Sequence, residues 1–235
     1  MNTTPPVLSV TELTAWYQPD QPILREVNLE VPARTNVGLL GVNGAGKTTL
    51  LNCLCGVHER LRVGQVQHQG RLVGLRDKSF LAARYAVFTE HAGFRYWTFT
   101  AYLAFLAKAY ARQMEPRAVD ELVEGFAFGR YRDQTIGSLS TGNKKKAFLI
   151  AGLALRLPLL LLDEPVDGLD FESTEFLYDS VAAYREWGSV LMSSHIAESF
   201  SRCSDRLYVL RGGRLGDPVD DAAVLRDVRS YLARD

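Results

Sequence analysis

The sequence predicts an α/β fold, with a mixed sheet covered by helices on both faces, an antiparallel sheet at its edge and an inserted helical subdomain. Three observations support this class. Residues 41–49 form a glycine-rich turn between a short apolar strand and a helix. Residues 159–164 place four leucines before two acids, the composition of a central strand that is buried on both faces. Between these stretches, the segment from about 91 to 156 contains apolar side chains at helical spacing.

The chain is expected to form one domain, because 235 residues can build one large core. We predict a core of residues 1–88 and 157–217, a helical insert at about 91–156, and a C-terminal amphipathic helix at about 220–233. Lys plus Arg and Asp plus Glu each number 27, so the formal net charge is zero. Without a long-range positive field, no nucleic-acid partner is expected. The apolar runs are too short to span a bilayer, so any membrane role requires another chain.

The first elements predict the antiparallel sheet and one further strand. Residues 7–13 alternate apolar and polar side chains as a half-buried strand does, and residues 23–31 form a second strand after a loop that contains Pro and Asp. Residues 65–68 and 71–73 flank a Gln-Gly turn and predict a small hairpin. Residues 85–88 predict the strand that precedes the helical insert.

The later elements alternate between helices and strands. Within the insert, helices are predicted from Thr98, from Pro116 to Gly125, and from Ser140 to Leu155. After the four-leucine strand, the pattern predicts a helix at 171–187, a strand at 190–193, a helix at 196–203 and a strand at 207–210.

The glycine-rich turn has the chemistry of a phosphate-binding loop. Its glycines let backbone N–H groups approach a polyphosphate, and the helix that follows presents its positive end to the same anion. Lys47 would reach the outer phosphates, and the Thr48 hydroxyl would hold Mg²⁺. The alternative is a loop that binds nothing, but the complete Gly-Lys-Thr sequence favours a nucleoside triphosphate. The residues assigned to nucleotide binding here are Asn43, Gly44, Ala45, Gly46, Lys47, Thr48 and Thr49.

Two adjacent acids, Asp163 and Glu164, end the four-leucine strand. Because neighbouring side chains on a strand diverge, one acid could hold the magnesium shell while the other deprotonates a water for attack on the γ-phosphate. The alternative is a helix entry capped by acids. His195 follows another apolar strand and is a third candidate at the same sheet edge, although a lone histidine is usually a packing or surface residue.

A second helix start, at residues 139–146, also suits an anion. Ser140 is a plausible N-cap, and Gly142 lets the backbone come close to a ligand. Three lysines, residues 144–146, oppose the helix dipole in the first turn, and a nearby phosphate would relieve that mismatch. The alternative is a capped helix whose lysines form a solvated face. Two such helix starts in one chain indicate a nucleotide held between two chains.

With these segments in this order and spacing, the chain resembles the nucleotide-binding subunit of ATP-binding cassette (ABC) transporters over nearly its whole length. Residues 41–49 resemble the Walker A motif, and the four leucines with Asp163 resemble Walker B. The resemblance makes Glu164 the catalytic glutamate and His195 the switch histidine. With Lys47, these two residues form the predicted catalytic set. Each motif alone is common, whereas the set in this order is specific.

Three further segments resemble motifs of this family. Residues 139–143 resemble the signature Leu-Ser-Gly-Gly-Gln, with substitutions at its third and fifth positions. Residues 166–170 resemble the D-loop. An aromatic residue near the start of the chain, either filling a hydrophobic edge or stacking on a base, corresponds to the family's adenine-stacking residue. The resemblance therefore adds these residues to the nucleotide site: Tyr17, Ser140, Thr141, Gly142, Asn143 and Asp170.

The resemblance implies a P-loop NTPase core that uses ATP and Mg²⁺. It also implies a head-to-tail dimer, with a second copy or a paralogue, in which Lys47 of one subunit and Ser140 with Gly142 of the other enclose one ATP. A transmembrane permease would hold the dimer at the cytoplasmic face of the membrane and contact a groove near Glu90 and residues 94–97. Aromatic packing inside the insert is the alternative for residues 94–97.

Glu90 departs from the family pattern, which usually has Gln at this position. A carboxylate still binds Mg²⁺, so the implied metal ligands are Thr48, Glu90 and Asp163. A Glu here resembles bacterial efflux subunits that confer immunity to lantibiotic peptides, and some drug exporters. We therefore predict export of a peptide, drug or other amphipathic compound.

The main alternative is a mechanotransmission subunit that uses ATP to act on a membrane partner without moving a substrate. A GTPase or small-molecule kinase would need only the phosphate loop and would leave residues 139–143 and His195 without a purpose. Translation and DNA-repair ATPases of this kind generally carry two cassettes or a long coiled-coil insertion, and the sequence has neither.

Overall fold

The computed structural model describes residues 4–89 and 93–220. Glu90 and the predicted C-terminal helix beyond residue 220 lie outside the described residues. The strands are β1 (Leu8–Gln18), β2 (Gln21–Val31), β3 (Asn36–Leu40), β4 (Leu61–Arg62), β5 (Gln65–His68), β6 (Arg71–Leu72), β7 (Arg84–Val87), β8 (Leu159–Asp163), β9 (Ser189–Ser194), β10 (Arg206–Arg211) and β11 (Arg214–Leu215). The α-helices are α1 (Lys47–Leu54), α2 (Lys78–Leu81), α3 (Phe99–Ala109), α4 (Pro116–Gly125), α5 (Thr141–Leu155), α6 (Phe171–Tyr184) and α7 (Glu198–Cys203).

Within the described residues, the central sheet has six strands in the order β11-β10-β3-β9-β8-β7. Strands β10, β3, β9, β8 and β7 are parallel, and β11 joins the edge antiparallel to β10. A second, antiparallel sheet has the order β2-β1-β5-β6, with β4 also paired to β1. The predicted α/β class, with a mixed sheet and an antiparallel edge sheet, is confirmed.

Alternate residues of the central strands face two different cores. In β8, Leu160 and Leu162 belong to the core under α3–α7, whereas Leu159 and Leu161 belong to the core shared with α1 and the antiparallel sheet. All five residues of β8 are buried. An uninterrupted apolar run therefore becomes a parallel strand that is covered on both faces.

The helices α3, α4 and α5 lie between β7 and β8 in the chain. Two tyrosine hydroxyls join α3 and the residue after it to β7. The Tyr85 and Tyr102 hydroxyls share a hydrogen bond of 2.6 Å, and the Tyr110 hydroxyl donates to the Arg84 carbonyl at 3.1 Å. Burial raises the pKa of Tyr102 to about 12, so this hydroxyl keeps its proton and remains a possible donor. These bonds connect the helical segment to the strand that precedes it.

Among the predicted elements, β1 and α6 end three or more residues from their predicted ends. Strand β1 reaches Gln18, which pairs with Gln21, so the loop predicted there is reduced to a turn at residues 19–20. Helix α6 ends at Tyr184, before the predicted end at Trp187. The Trp187 N–H bonds the Tyr184 carbonyl at 2.8 Å, and the Arg156 guanidinium lies 3.8 Å from the Trp187 ring centroid. Stacking of Trp187 on Arg156 therefore competes with continuation of the helix to residue 187.

No helix within residues 4–89 and 93–220 is both long enough and apolar enough to cross a bilayer.

Candidate functional site

The carboxyl ends of β3, β8 and β9 meet at one edge of the central sheet, where three of the predicted segments lie together. The loop at 41–46 follows β3 and leads into α1, Asp163 and Glu164 follow the leucines of β8, and His195 follows β9. Ligands of open α/β sheets bind at this edge, because loops from neighbouring strands converge there.

The glycine-rich loop has the backbone that its sequence predicts. Gly44 and Gly46 have φ angles of 81° and 108°, in the region that favours glycine. A Cβ atom at Gly46 would lie only 3.0 Å from Leu24 Cδ2. Gly46 is also the N-cap of α1 and provides no side-chain hydrogen bond to the helix. The first amides of α1 thus have no side-chain cap, and the positive end of the helix dipole points to the loop.

Lys47 lies at the centre of this edge and is only 5% exposed. Its Nζ donates to the Gly41 carbonyl at 2.6 Å and forms an ion pair with Glu164 Oε1 at 3.0 Å. The structure therefore brings the predicted phosphate-binding lysine into contact with the predicted catalytic carboxylate.

Asp163 is buried and uses both carboxylate oxygens. Oδ2 accepts from the Thr48 hydroxyl at 2.8 Å, and Oδ1 accepts from the Ser193 hydroxyl at 2.7 Å. The Thr48 hydroxyl and the Asp163 carboxylate are hard oxygen donors, so this pair fits Mg²⁺. Sequence reasoning did not identify Ser193 as a partner of Asp163. Its only signal was its position at the end of a strand beside the site.

Glu164 has a φ of 44°, an unusual conformation for a residue other than glycine. Such strain costs on the order of 1–3 kcal/mol and persists only where the surroundings impose it. The Glu164 N–H donates to Ser193 Oγ at 3.1 Å. Asp163 and Glu164 direct their side chains to different partners, as expected for neighbours on a strand. The alternative of a helix entry is wrong, because the next helix, α6, begins only at Phe171.

His195 contacts the same carboxylate from β9. Its Nδ1 lies 2.9 Å from Glu164 Oε2, and its backbone N–H donates to that oxygen at 3.2 Å. A carboxylate oxygen of Asp167 completes a group whose ligand atoms all lie within 4.8 Å of one another. Glu164 is therefore held between a lysine on one oxygen and a histidine on the other.

The start of α5 is capped as predicted, but the lysines in its first turn do not form a solvated face. Ser140 Oγ accepts from the Asn143 N–H at 3.3 Å. Lys145 and Lys146 are buried. The former donates to the Glu164 carbonyl at 2.8 Å, while Lys146 forms an ion pair of 2.6 Å with Asp170. The fully solvated alternative is therefore wrong for two of the three lysines.

The Asp170 side chain lies at the N-cap of α6, where Oδ1 accepts from the Ser173 N–H at 2.8 Å. The hydrogen bond from Lys146 holds the pKa of Asp170 well below its usual range. In the part of the chain that the structure describes, no hydrogen bond or ion pair joins Ser140–Asn143 or Asp170 to residues 41–49. The two sets of predicted nucleotide contacts are therefore not bonded directly to each other within the described residues. The Ser140 and Thr141 side chains are exposed.

Tyr17 lies beside the glycine-rich loop. Its hydroxyl is 3.4 Å from Thr49 Oγ1, and its ring packs edge-on against His58 at 5.0 Å between centroids. The side chain is nevertheless 49% exposed. Trp16, the preceding residue of the strand, is half-buried and lies near Arg62 instead. The structure therefore places Tyr17, rather than Trp16, next to α1.

The aromatic segment at 94–97 has half-buried and exposed members. The Phe94 ring packs 4.7 Å from that of Tyr102, and the Trp97 ring lies 5.4 Å from that of Phe105. Tyr96 is 80% exposed. Part of the segment belongs to the insert's own packing, as the alternative expected, and part forms an aromatic surface. Glu90, which was predicted to lie next to this groove, is outside the described residues.

More than half of the chain matches one protein-family model. Residues 24–167 match the family model described as ABC transporter. The chain belongs to the ABC transporter family. The matched range contains the glycine-rich loop, the start of α5 and both acids at the end of β8. The predicted family is confirmed.

Relatives within the ABC transporter family align with most of the chain. AlbC of Bacillus subtilis (strain 168), provisionally named an ABC transporter ATP-binding protein, is 34% identical over 89% of this chain and 90% of its own length. A cobalt import ATP-binding protein, CbiO of Salmonella paratyphi A, is 33% identical over 89% of this chain and 79% of its own length.

Solved structures share the fold. A structure titled as the ATP-binding subunit of an ABC transporter superposes with a TM-score of 0.81 at 24% identity, covering 97% of this chain and 93% of that one. A nucleotide-free ATP-binding cassette from an ABC transporter gives a TM-score of 0.76 at 17% identity, covering 96% of this chain and 95% of that one. The predicted cassette fold of a P-loop ATPase is confirmed.

Membership defines the general activity of this ABC transporter subunit. The chain is an ATP-binding subunit of a family that hydrolyses ATP, so the predicted ATPase activity is confirmed. ABC ATP-binding subunits dimerise and work with transmembrane permeases. One relative is named as an importer, so family membership alone does not define the direction of transport.

Proposed function

We propose that this chain powers a separate transmembrane permease by closing with a second subunit, head to tail, around ATP. The observation that carries the proposal is the convergence on Glu164, where Lys47 contacts Oε1 and His195 contacts Oε2. A carboxylate held on both sides in this way is suited to orient and deprotonate an attacking water. The chain would form one domain at the cytoplasmic face of the membrane, attached through its permease.

In this proposal each residue at the sheet edge has one role. Lys47 and the amides of residues 43–49 bind the phosphates of ATP, because they combine a cation, a glycine-rich backbone and a helix N-terminus. Glu164 takes the proton of the attacking water, and His195 orients its carboxylate. Thr48 and Asp163 would hold Mg²⁺, which would neutralise charge on the β- and γ-phosphates. Glu90 remains a proposed third ligand.

The second subunit completes the site with its α5 start. Ser140 and Thr141 are exposed, and within the described residues they form no hydrogen bond to residues 41–49. A helix start is suited to bind a phosphate, so this surface would contact ATP held by the partner. Asp170, capping α6 beside it, would lie at the same interface. Tyr17 would stack on adenine with the exposed part of its ring.

The exposed aromatic surface of the insert is the proposed permease contact. Large exposed fractions remain on Tyr96, Trp97 and Phe105, and Phe94 packs against the last two. Aromatic rings that are partly packed and partly exposed are common at protein interfaces, because they bury a large area with little loss of conformational freedom. A helix of the permease would lie on this surface.

We further propose that transport is directed outward and that the substrate is a peptide, drug or other amphipathic compound. Support comes from Glu90, because Glu at this position resembles bacterial efflux subunits. The relative named for cobalt import makes uptake of a metal ion the specific competing outcome.

A transport assay tests this function. The complex would be purified through a tag on this chain and reconstituted into vesicles with the ATPase subunits outside. We expect ATP-dependent accumulation of a fluorescent amphipathic dye or cationic peptide inside these vesicles, and none with the Glu164→Gln subunit. ATP-dependent Co²⁺ release from preloaded vesicles would instead indicate an importer. Hydrolysis without movement of any of these probes would favour the mechanotransmission alternative.

Replacing His195 with Ala tests the proposed orientation of the carboxylate. The variant loses the Nδ1 contact with Glu164 Oε2. Because small displacements of a reacting group can cost about two orders of magnitude, we expect kcat for ATP hydrolysis to fall about 10–100-fold while KM changes little. Steady-state kinetics of the purified complex measure both constants. His68→Ala, far from the site in the hairpin, is the control, and an equal loss there would argue against a specific role.

A further inference from the structure

The start of α5 is tied to the segment that begins at the proposed catalytic carboxylate. Lys145 Nζ donates to the Glu164 carbonyl oxygen at 2.8 Å. A Cβ atom at Gly142 would lie 2.4 Å from the Gly168 carbonyl oxygen, so the two backbones are in contact. Lys146, the next residue, forms an ion pair of 2.6 Å with the carboxylate at the N-cap of α6. Helix start and segment therefore form one connected unit.

The Lys145 bond acts on a backbone that needs support. Glu164 has a φ of 44°, its N–H donates to Ser193 Oγ at 3.1 Å, and its carbonyl also accepts from the Asp167 N–H at 3.2 Å. The direction of the Glu164 side chain follows from the rotation of this backbone, since the Cα–Cβ bond turns with it. A change at the carbonyl would therefore displace the carboxylate from His195.

Stability does not explain why a lysine occupies this position. Lys145 is only 2% exposed, and it donates a hydrogen bond to a neutral carbonyl. Burial lowers the pKa of Lys145, while the negative charges of Asp167, Asp163 and Glu164 act in the opposite direction. A buried cation loses solvation energy that an apolar side chain of similar length does not lose. Met at this position would therefore fill the space without that cost.

We propose that Lys145 is a positioning residue for ATP hydrolysis, which holds the Glu164 backbone so that the carboxylate is directed at the attacking water. This inference rests on the proposed role of Glu164. Lys145 acts through the carbonyl and, within residues 4–89 and 93–220, forms no hydrogen bond or ion pair with residues 41–49. Its loss should therefore lower the rate of the chemical step and leave ATP binding nearly unchanged.

The test uses the complex purified through a tag on this chain. Lys145→Met keeps the side-chain length and removes the donor, while Lys145→Gln keeps a neutral donor. Lys108→Met, an exposed residue of α3, is the control. We expect Lys145→Met to lower kcat at least tenfold with KM for ATP changed less than twofold, Lys145→Gln to recover part of the rate, and the control to match the wild type.

A double-variant cycle separates positioning from general damage. In the Glu164→Gln background, Lys145→Met should cause little further loss in single-turnover hydrolysis, because the group it positions is already inactive. An undiminished tenfold loss in that background, a raised KM, or a rate equal to the wild type would each overturn the inference. If Lys145→Met lacks a cooperative melting transition, Lys145→Gln carries the same comparison. A wild-type complex that hydrolyses no ATP would instead refute the proposed function.

Discussion

Replacing Glu164 with Gln is expected to lower ATP turnover by about 10²–10⁴-fold while ATP binding persists. Gln keeps the size of the side chain and the hydrogen bonds of its oxygen, but it cannot take a proton from water. The contact with His195 Nδ1 at 2.9 Å can be retained, so the fold and the position of the side chain should change little. Release of phosphate measures turnover, and binding of a fluorescent ATP analogue measures affinity.

The control for this substitution is Glu172→Gln, an exposed acid in the first turn of α6. It should hydrolyse ATP at the wild-type rate. In the proposed head-to-tail dimer, ATP that is bound but not cleaved would continue to bridge two subunits. The Glu164→Gln variant should therefore also form a dimer that elutes earlier in size-exclusion chromatography with ATP and Mg²⁺. Turnover within threefold of the wild type would contradict the assignment of Glu164 as the base.

Replacing Lys47 with Ala is expected to weaken ATP binding by about 10–100-fold and to reduce hydrolysis with it. The size of the effect follows from losing a charged hydrogen-bond donor to a phosphate, worth about 1.5–3 kcal/mol. The substitution also leaves Glu164 without its ion-pair partner at 3.0 Å. Titration calorimetry with ATP measures the change in affinity, and thermal melting shows whether the fold is retained.

Lys78→Ala is the control, because this lysine is exposed on α2. Unchanged affinity in Lys47→Ala, combined with normal melting, would show that the phosphates are held by the backbone amides alone. A loss of affinity in both variants would indicate a nonspecific effect of charge.

The phosphate loop could be predicted from sequence because its geometry is local. Glycine at 44 and 46 permits the positive φ angles, and Lys47 follows on the first turn of the helix. The strand with Asp163 could be predicted for a similar reason, since an unbroken apolar run indicates a strand buried on both faces. The residues of each motif lie within a few positions of one another, so spacing alone carries the information.

Contacts between distant segments could not be predicted from the sequence in the same way. Ser193 bonds Asp163 across two neighbouring strands, and the sequence does not show which hydroxyl lies opposite. Lys145 and Lys146 also find their partners more than fifteen positions further along the chain. The sequence did contain one sign of these contacts, because lysines in the first turn of a helix oppose the helix dipole and therefore need a partner. A nearby phosphate was one explanation, and a carbonyl and carboxylate of the same chain supply another.

The boundaries of some elements depended on packing as well. The long strands β1 and β2 pair with register shifts, and Glu12 and Glu26 have positive φ angles of 54° and 50°. Bulges of this kind bend a hairpin, and alternation of polar and apolar residues predicts a strand without predicting where it bends. The short strands β4 and β11 carry too few residues for a periodic pattern.

The ion pair between Lys47 and Glu164 makes the Glu164 carboxylate a competitor of ATP for the lysine. In the proposed site, a γ-phosphate would contact the same ammonium group as this carboxylate does, and that group is almost fully shielded from water. Separating the pair would therefore offset part of the affinity for ATP, while the proposed base would already lie where the γ-phosphate is expected. Neutralising the competitor shifts that balance, so the inactive Gln variant should hold ATP more tightly than the working subunit does.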